Sequence, residues 1–178
     1  MDNTILGILA EKLVQFGLTR QEITEGIASV RPVNGRSNII ALNGLTLIDD
    51  CYNANPMSMR AALDMLAEAG GRTVAILGDM GELGEKEGKF HKEVGAYAVQ
   101  KHLTGLICVG RLARFIYQGG CKAKGKTLSN TFVQYYETRE ALLNRLAGGG
   151  LIPEGTTVLV KASHSMGFSA IVEALKGS

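Results

Sequence analysis

Short apolar runs alternate with amphipathic stretches along most of this chain, and that alternation restricts the available folds more than any other feature. Leu45–Asp49, Thr73–Leu77, Leu106–Val109, Thr131–Tyr136 and Thr157–Lys161 are short, apolar on both faces and β-branched. Strands of this kind belong to a parallel sheet covered by helices on both sides. Each run leads into a stretch with helical spacing: Met57–Ala69, Phe90–Lys101, Leu112–Gln118, Thr138–Ala147 and Gly167–Lys176. In the first of these, Met59, Ala62, Leu63 and Leu66 form the apolar stripe, and Asn55-Pro56 supplies an N-cap and a first-turn proline. In the last, Phe168, Ile171, Val172 and Leu175 share one face. Gly is abundant at 23 residues and Pro sparse at 3, which suits tight strand-to-helix turns.

The sheet should open with a β-hairpin. Ser37–Leu42 and Leu45–Asp49 are separated by Asn43-Gly44, the strongest short hairpin signal. Upstream, Ile5, Ile8, Leu9 and Leu13 recur at helical spacing over residues 4–16, and Thr19 caps a second short helix from Gln21 to Ser29. These two helices have no strand of their own and read as the tail of a preceding domain. The expected fold is α/β: a Rossmann-like, doubly wound, mostly parallel sheet with helices on both faces, opened by a hairpin and preceded by two helices. Residues 1–36 form the remnant and residues 37–178 the main domain. A length of 178 residues suits one domain plus a fragment.

Composition removes several function classes. A net charge of +2 is too small to imply nucleic acid, and the densest basic cluster, Lys122, Lys124 and Lys126, lacks interleaved aromatics. The 3 cysteines, Cys51, Cys108 and Cys121, are odd in number and form no CxxC, which argues against a disulfide framework or zinc site. Met1–Ala10 lacks the features of a signal peptide, and no apolar run approaches the roughly 20 residues of a membrane span. A cytoplasmic monomer with no metal site of its own is expected.

One phosphate-binding expression is set aside. Gly120 to Thr127 matches GxxxxGK[ST], but a working loop of that type follows a strand and opens a helix. Here a helix precedes the match, so it reads as a solvated basic loop. Ligands of open parallel sheets bind beyond the carboxyl ends of the strands. That rim would carry Asp49, Asp50, Cys51, Tyr52 and Asn53, then Gly78, Asp79, Met80, Gly81 and Glu82, then Gly110, and finally Lys161, Ala162, Ser163 and His164. Acids, amides, a lysine and small residues suit a polar ligand with hydroxyls and a charged end. Cys51 has no neighbouring base and reads as a small filler. His91 and His102 lack a second ligand at metal spacing and read as surface or partly packed residues.

Four segments resemble the Mur ligase family. Asp49 to Met59 is similar to its DxYNANPxSM signature, Leu77 to Gly84 to its LGDMxELG loop, with His91 at the family's spacing. Val160 to Met166 resembles VKGSRSM, and Pro32 to Arg36 resembles the PxxGR junction between central and C-terminal domains. The resemblance implies an ATP-dependent amide ligase. ATP phosphorylates the carboxylate of UDP-N-acetylmuramoyl-tripeptide, and the amine of D-alanyl-D-alanine attacks the acyl phosphate. It implies that Mg2+ and most of the ATP are held by a central domain upstream, so this chain alone should be inactive. Carried over by position, Arg36, Asp50, Asn53 and Asn55 would bind ATP, with Asp50 accepting from the ribose hydroxyls. Asp79, Glu82, Lys161 and Ser163 would lie toward the dipeptide, and no catalytic residue is assigned. The alternative roles are structural: Asp50 and Asn53 as helix caps, Asp79 and Glu82 as loop formers, Lys161 as a strand-end surface residue. Two positions depart from the pattern, Ala162 for glycine and His164 for arginine. Two rival functions are a dinucleotide-binding oxidoreductase domain, which lacks its GxGxxG here, and a stand-alone binding module of the same fold.

Overall fold

The computed structural model describes Thr19, residues 37–127 and residues 129–177. The two helices expected over residues 4–16 and 21–29, and Arg36, lie outside the described residues. Chain contacts separate Met1–Pro32 from Val33–Ser178, and the described elements lie in the second unit.

Its elements are β1 (Asn38–Leu42), β2 (Leu45–Asp49), α1 (Pro56–Glu68), β3 (Arg72–Gly78), α2 (Glu87–Gln100), β4 (Gly105–Val109), α3 (Ala113–Thr127), β5 (Phe132–Tyr136), α4 (Arg139–Ala147), β6 (Thr156–Lys161) and α5 (Ser169–Lys176). Single 3-10 turns occupy Gly84–Lys86 and His164–Met166. The strands form one sheet in the order β1-β2-β6-β3-β4-β5. The hairpin β1–β2 is antiparallel, turning at Asn43-Gly44 with Gly44 at φ 80°, and the other pairs are parallel. The doubly wound α/β expectation therefore stands. Among the described residues no helix is long and apolar enough to cross a membrane.

Strand alternation sorts the core into two layers. Ala75 and Leu77 of β3 face α1, α2 and α3, while Val74 and Ile76 face α4 and α5. Connection handedness explains the sorting. From β2 through β5 the chain moves one way across the sheet, and right-handed crossovers keep α1, α2 and α3 on one face. After β5 it returns to fill the slot between β2 and β3, so the same handedness puts α4 on the other face. The segments leaving β2 and β3 turn to one face and the segment leaving β6 turns to the other. The crevices flanking the end of β6 are therefore the topological switch point, where such sheets bind ligands.

Local chemistry sets the helix starts. Asn55 caps α1 by accepting from Ser58 N, and Ser58 Oγ accepts from Asn55 N at 3.1 Å, a reciprocal box with Pro56 at the first turn. Thr138 caps α4 through Ala141 N. One sequence expectation is corrected: the Gly120 to Thr127 segment is no loop but the second half of α3. Glycine disfavours helix, yet α2 and α3 meet there backbone to backbone. A Cβ on Gly95 would lie 1.9 Å from Ile116 O, and one on Gly119 would lie 2.0 Å from Lys92 O. The glycines are retained by helix packing, and tertiary contact extends α3 past the end read from sequence.

Candidate functional site

Lys161 ends β6 at the switch point and organises the rim. Its side chain is 2% exposed, so it is no surface residue. Nζ donates to Asp50 Oδ2 at 2.6 Å and to the Asn53 carbonyl at 2.9 Å. Asp50, 13% exposed, accepts from Ser37 N at 3.0 Å with its other oxygen. A lysine thus joins the segments after β2 and β6 across the sheet's own hydrogen-bond frame, where Asp50 N donates to Val160 O. Burial is tolerable because charge meets charge and each is further hydrogen-bonded. Beside it, Asp49 Oδ1 accepts from Cys51 N at 3.4 Å. Burial, then the hydrogen bond and charge of Asp49, push the Cys51 thiol up to about 12, so it stays protonated and acts as filler.

The segment after β3 is held residue by residue. Asp79 Oδ1 accepts from Leu112 N at 3.0 Å and Ala113 N at 2.7 Å, placing a carboxylate on the N-terminus of α3. Ser163 N donates to the Asp79 carbonyl at 3.0 Å, and Gly81 N donates to Ser163 Oγ at 2.8 Å. Gly110, at φ 120°, leaves room for this arrangement, since a Cβ there would meet Asp79 Oδ1 at 2.6 Å. Glu82 is exposed and sits at φ 58°.

His91 is the residue sequence reasoning misplaced. It was expected at the surface or partly packed; it is fully buried on α2. Met80 N donates to His91 Nε2 at 2.9 Å, so the ring proton must be on Nδ1, which donates to the Glu87 carbonyl at 2.7 Å. Burial, the largest influence, lowers its pKa below the ordinary histidine value and keeps the ring neutral. The signal was available: Val94 and Ala98, at the third and seventh positions after His91, lie on the same buried stripe.

The rim's exposed chemistry lies alongside. Tyr52 and His164 face each other with ring centroids 5.3 Å apart, and the Asn53 side chain is exposed. Of the residues named for ATP, the structure brings Asp50 and Asn53 together at Lys161, gives Asn55 to the cap of α1, and does not describe Arg36. Of those named for the dipeptide, Asp79 and Ser163 meet at one junction, Glu82 lies on the same loop, and Lys161 pairs with Asp50. Among the described residues no three His, Cys, Asp or Glu side chains are grouped to hold a metal ion.

Comparison with known proteins identifies the domain that carries this rim. Residues 35–164 match the family model described as Mur ligase, glutamate ligase domain. UDP-N-acetylmuramoyl-tripeptide--D-alanyl-D-alanine ligase of Bacillus subtilis (strain 168) is 32% identical over 163 residues, covering 90% of this chain and 34% of its own length. The protein of that name from Treponema pallidum (strain Nichols) is 34% identical, covering 91% of this chain and 34% of its own length. The chain thus spans about a third of the length of the curated relatives it matches. Among solved structures, MurF from Acinetobacter baumannii superposes with a TM-score of 0.76 at 26% identity, covering 93% of this chain and 35% of that one. MurF ligase from Thermotoga maritima in complex with ADP gives 0.67 at 27% identity, covering 84% and 32%. With the matched family domain containing all the rim segments just described, the chain belongs to the Mur ligase family and carries its C-terminal domain.

Proposed function

We propose that this chain is the C-terminal part of an ATP-dependent amide ligase that adds D-alanyl-D-alanine to UDP-N-acetylmuramoyl-tripeptide in peptidoglycan precursor synthesis. Residues 1–36 are then the end of the central nucleotide-binding domain, and the rim around β6 is the face that closes over ATP and positions the dipeptide. One observation carries this reading: segments far apart in sequence, 49–55, 79–82 and 161–164, converge at the switch point. The relatives' names and the ADP bound to one solved neighbour support the substrate assignment.

The donor set limits what this segment supplies. Asp50 and Asn53 suit ribose hydroxyls, and Glu82 on the exposed loop suits the dipeptide ammonium group. Triphosphate and Mg2+ are poorly matched, since the described residues lack a metal-ligating cluster and the GxxxxGK[ST] match is helical. Those groups are assigned to the central domain of the proposed ligase.

The test is a chimera in which this chain replaces the corresponding third of the Bacillus subtilis relative. Phosphate release that requires both UDP-N-acetylmuramoyl-tripeptide and D-alanyl-D-alanine is expected, with none from the 178 residues alone. A folded chimera that binds nucleotide but forms no amide would sink the assignment.

A further inference from the structure

We propose that His91 is a positioning residue of the ligase site: as the neutral ring protonated on Nδ1, it fixes the Asp79–Glu82 loop through Met80 N–H, and dipeptide binding depends on that clamp. The inference rests on the function proposed above for the rim, and goes beyond it by giving a role to a side chain that touches no ligand.

The loop is held at successive residues by different elements. Asp79 is held by the N-terminus of α3, Met80 by α2 and Gly81 by the segment after β6. The first and third of these holds are made at exposed or half-buried positions, whereas Met80 is 1% and His91 0% exposed. Water cannot replace a lost acceptor at Met80 N, and an unsatisfied buried amide is costly. Glu82 follows at φ 58°, a conformation a glutamate adopts only when its surroundings enforce it. The clamp two residues earlier supplies part of that enforcement. The imidazole is itself oriented, because the Glu87 carbonyl takes its Nδ1 proton.

The clamp also has a chemical signature. A protonated imidazole has no acceptor nitrogen, so it cannot receive the Met80 amide. The charges acting on the ring are Asp79 on the loop and Glu87 on its own helix; both favour protonation, but burial opposes it more strongly. The folded-state pKa therefore lies below the ordinary value, and the clamp is intact at neutral pH and opens on acidification below the usual histidine range.

The test uses the chimera with His91→Gln, whose side-chain oxygen restores an acceptor near Nε2, and His91→Leu, which removes it. Hydrogen exchange of the peptide covering residues 78–84 should accelerate about tenfold in H91L and stay near wild type in H91Q, with the rest of the sheet unchanged. KM for D-alanyl-D-alanine should rise about tenfold in H91L, and KM for ATP should move much less. The acid-side rise of the dipeptide KM should begin at higher pH in wild type than in H91Q, and identical onsets in the two would refute the pH dependence of the clamp. Unchanged exchange in H91L refutes the clamp whatever the kinetics. Accelerated exchange with an unchanged dipeptide KM refutes its role in the site while leaving the ligase assignment intact. An inactive wild-type chimera removes the ligase assignment, and the exchange result still decides whether His91 holds the loop.

Discussion

Replacing Lys161 by methionine should destabilise the domain by about 3 kcal/mol, and mostly because of what it does to Asp50. Removing one member of a buried ion pair costs about 3–5 kcal/mol, since the other charge is left uncompensated. The lower end applies because Asp50 is 13% exposed, so water reaches part of the carboxylate, and Ser37 N still holds Oδ1. The Asn53 carbonyl loses its donor as well, but it belongs to an exposed residue. Methionine keeps the unbranched stem, so little cavity is created. Urea unfolding followed by circular dichroism would show a lower midpoint with an unchanged slope, and a melting temperature reduced by roughly 6–12 °C. Adding Asp50→Asn removes the orphaned charge, so the double variant should recover more than half of the loss. A coupling below about 0.5 kcal/mol between the two substitutions would mean that Lys161 and Asp50 act independently, and the account of the rim as a welded pair would be wrong.

Two further outcomes follow from packing and from burial. Gly95→Ala should cost about 1–3 kcal/mol despite alanine's better helix propensity, because its Cβ would meet Ile116 O at 1.9 Å. Gly125→Ala, in the same helix pair but with nothing within 4 Å, should gain about 0.5–1 kcal/mol; thermal melts of the two variants moving in the same direction would contradict the close approach of α2 and α3. Iodoacetamide at pH 8 should label Cys121, which is exposed, and spare Cys51 and Cys108, whose thiols are pushed up by burial. Mass spectrometry showing prompt modification of Cys51 in the folded chain would overturn its role as inert filler.

What sequence revealed and what it hid divide along the range of the interactions. Asn43-Gly44 and Asn55-Pro56 encode their turn and cap within a few residues, so both were legible. The strand ends were legible too, because burial on both faces marks a parallel strand and its exit marks the rim. The length of α3 was not, since Gly119 and Gly120 look like helix breakers until α2 lies against them. Partnerships at the rim were hidden for the same reason. Lys161 and Asp50 are 111 residues apart, and Asp79 caps a helix that begins 34 residues later. His91 was read by its residue type, whereas its position on a buried stripe decided its environment.

These partnerships change how the rim's polar groups divide between scaffold and ligand. A carboxylate has about four acceptor sites, and Lys161 and Ser37 take two of those on Asp50, leaving capacity for a pair of ribose hydroxyls. An ammonium group has three donors, and Lys161, with a side chain 2% exposed, uses two on Asp50 and Asn53. On the proposed reading, Lys161 acts on a ligand chiefly by fixing the orientation of Asp50. Asp79 and Ser163 are similarly engaged, one with the N-terminus of α3 and the other with Gly81. On the proposed reading, the exposed side chains of Asn53 and Glu82 make the direct contacts. Variants of Asn53 and Glu82 should then change substrate KM with little effect on stability. Variants of Lys161 and Asp79 should change both, because on the proposed reading the groups they orient serve the fold and the site at once.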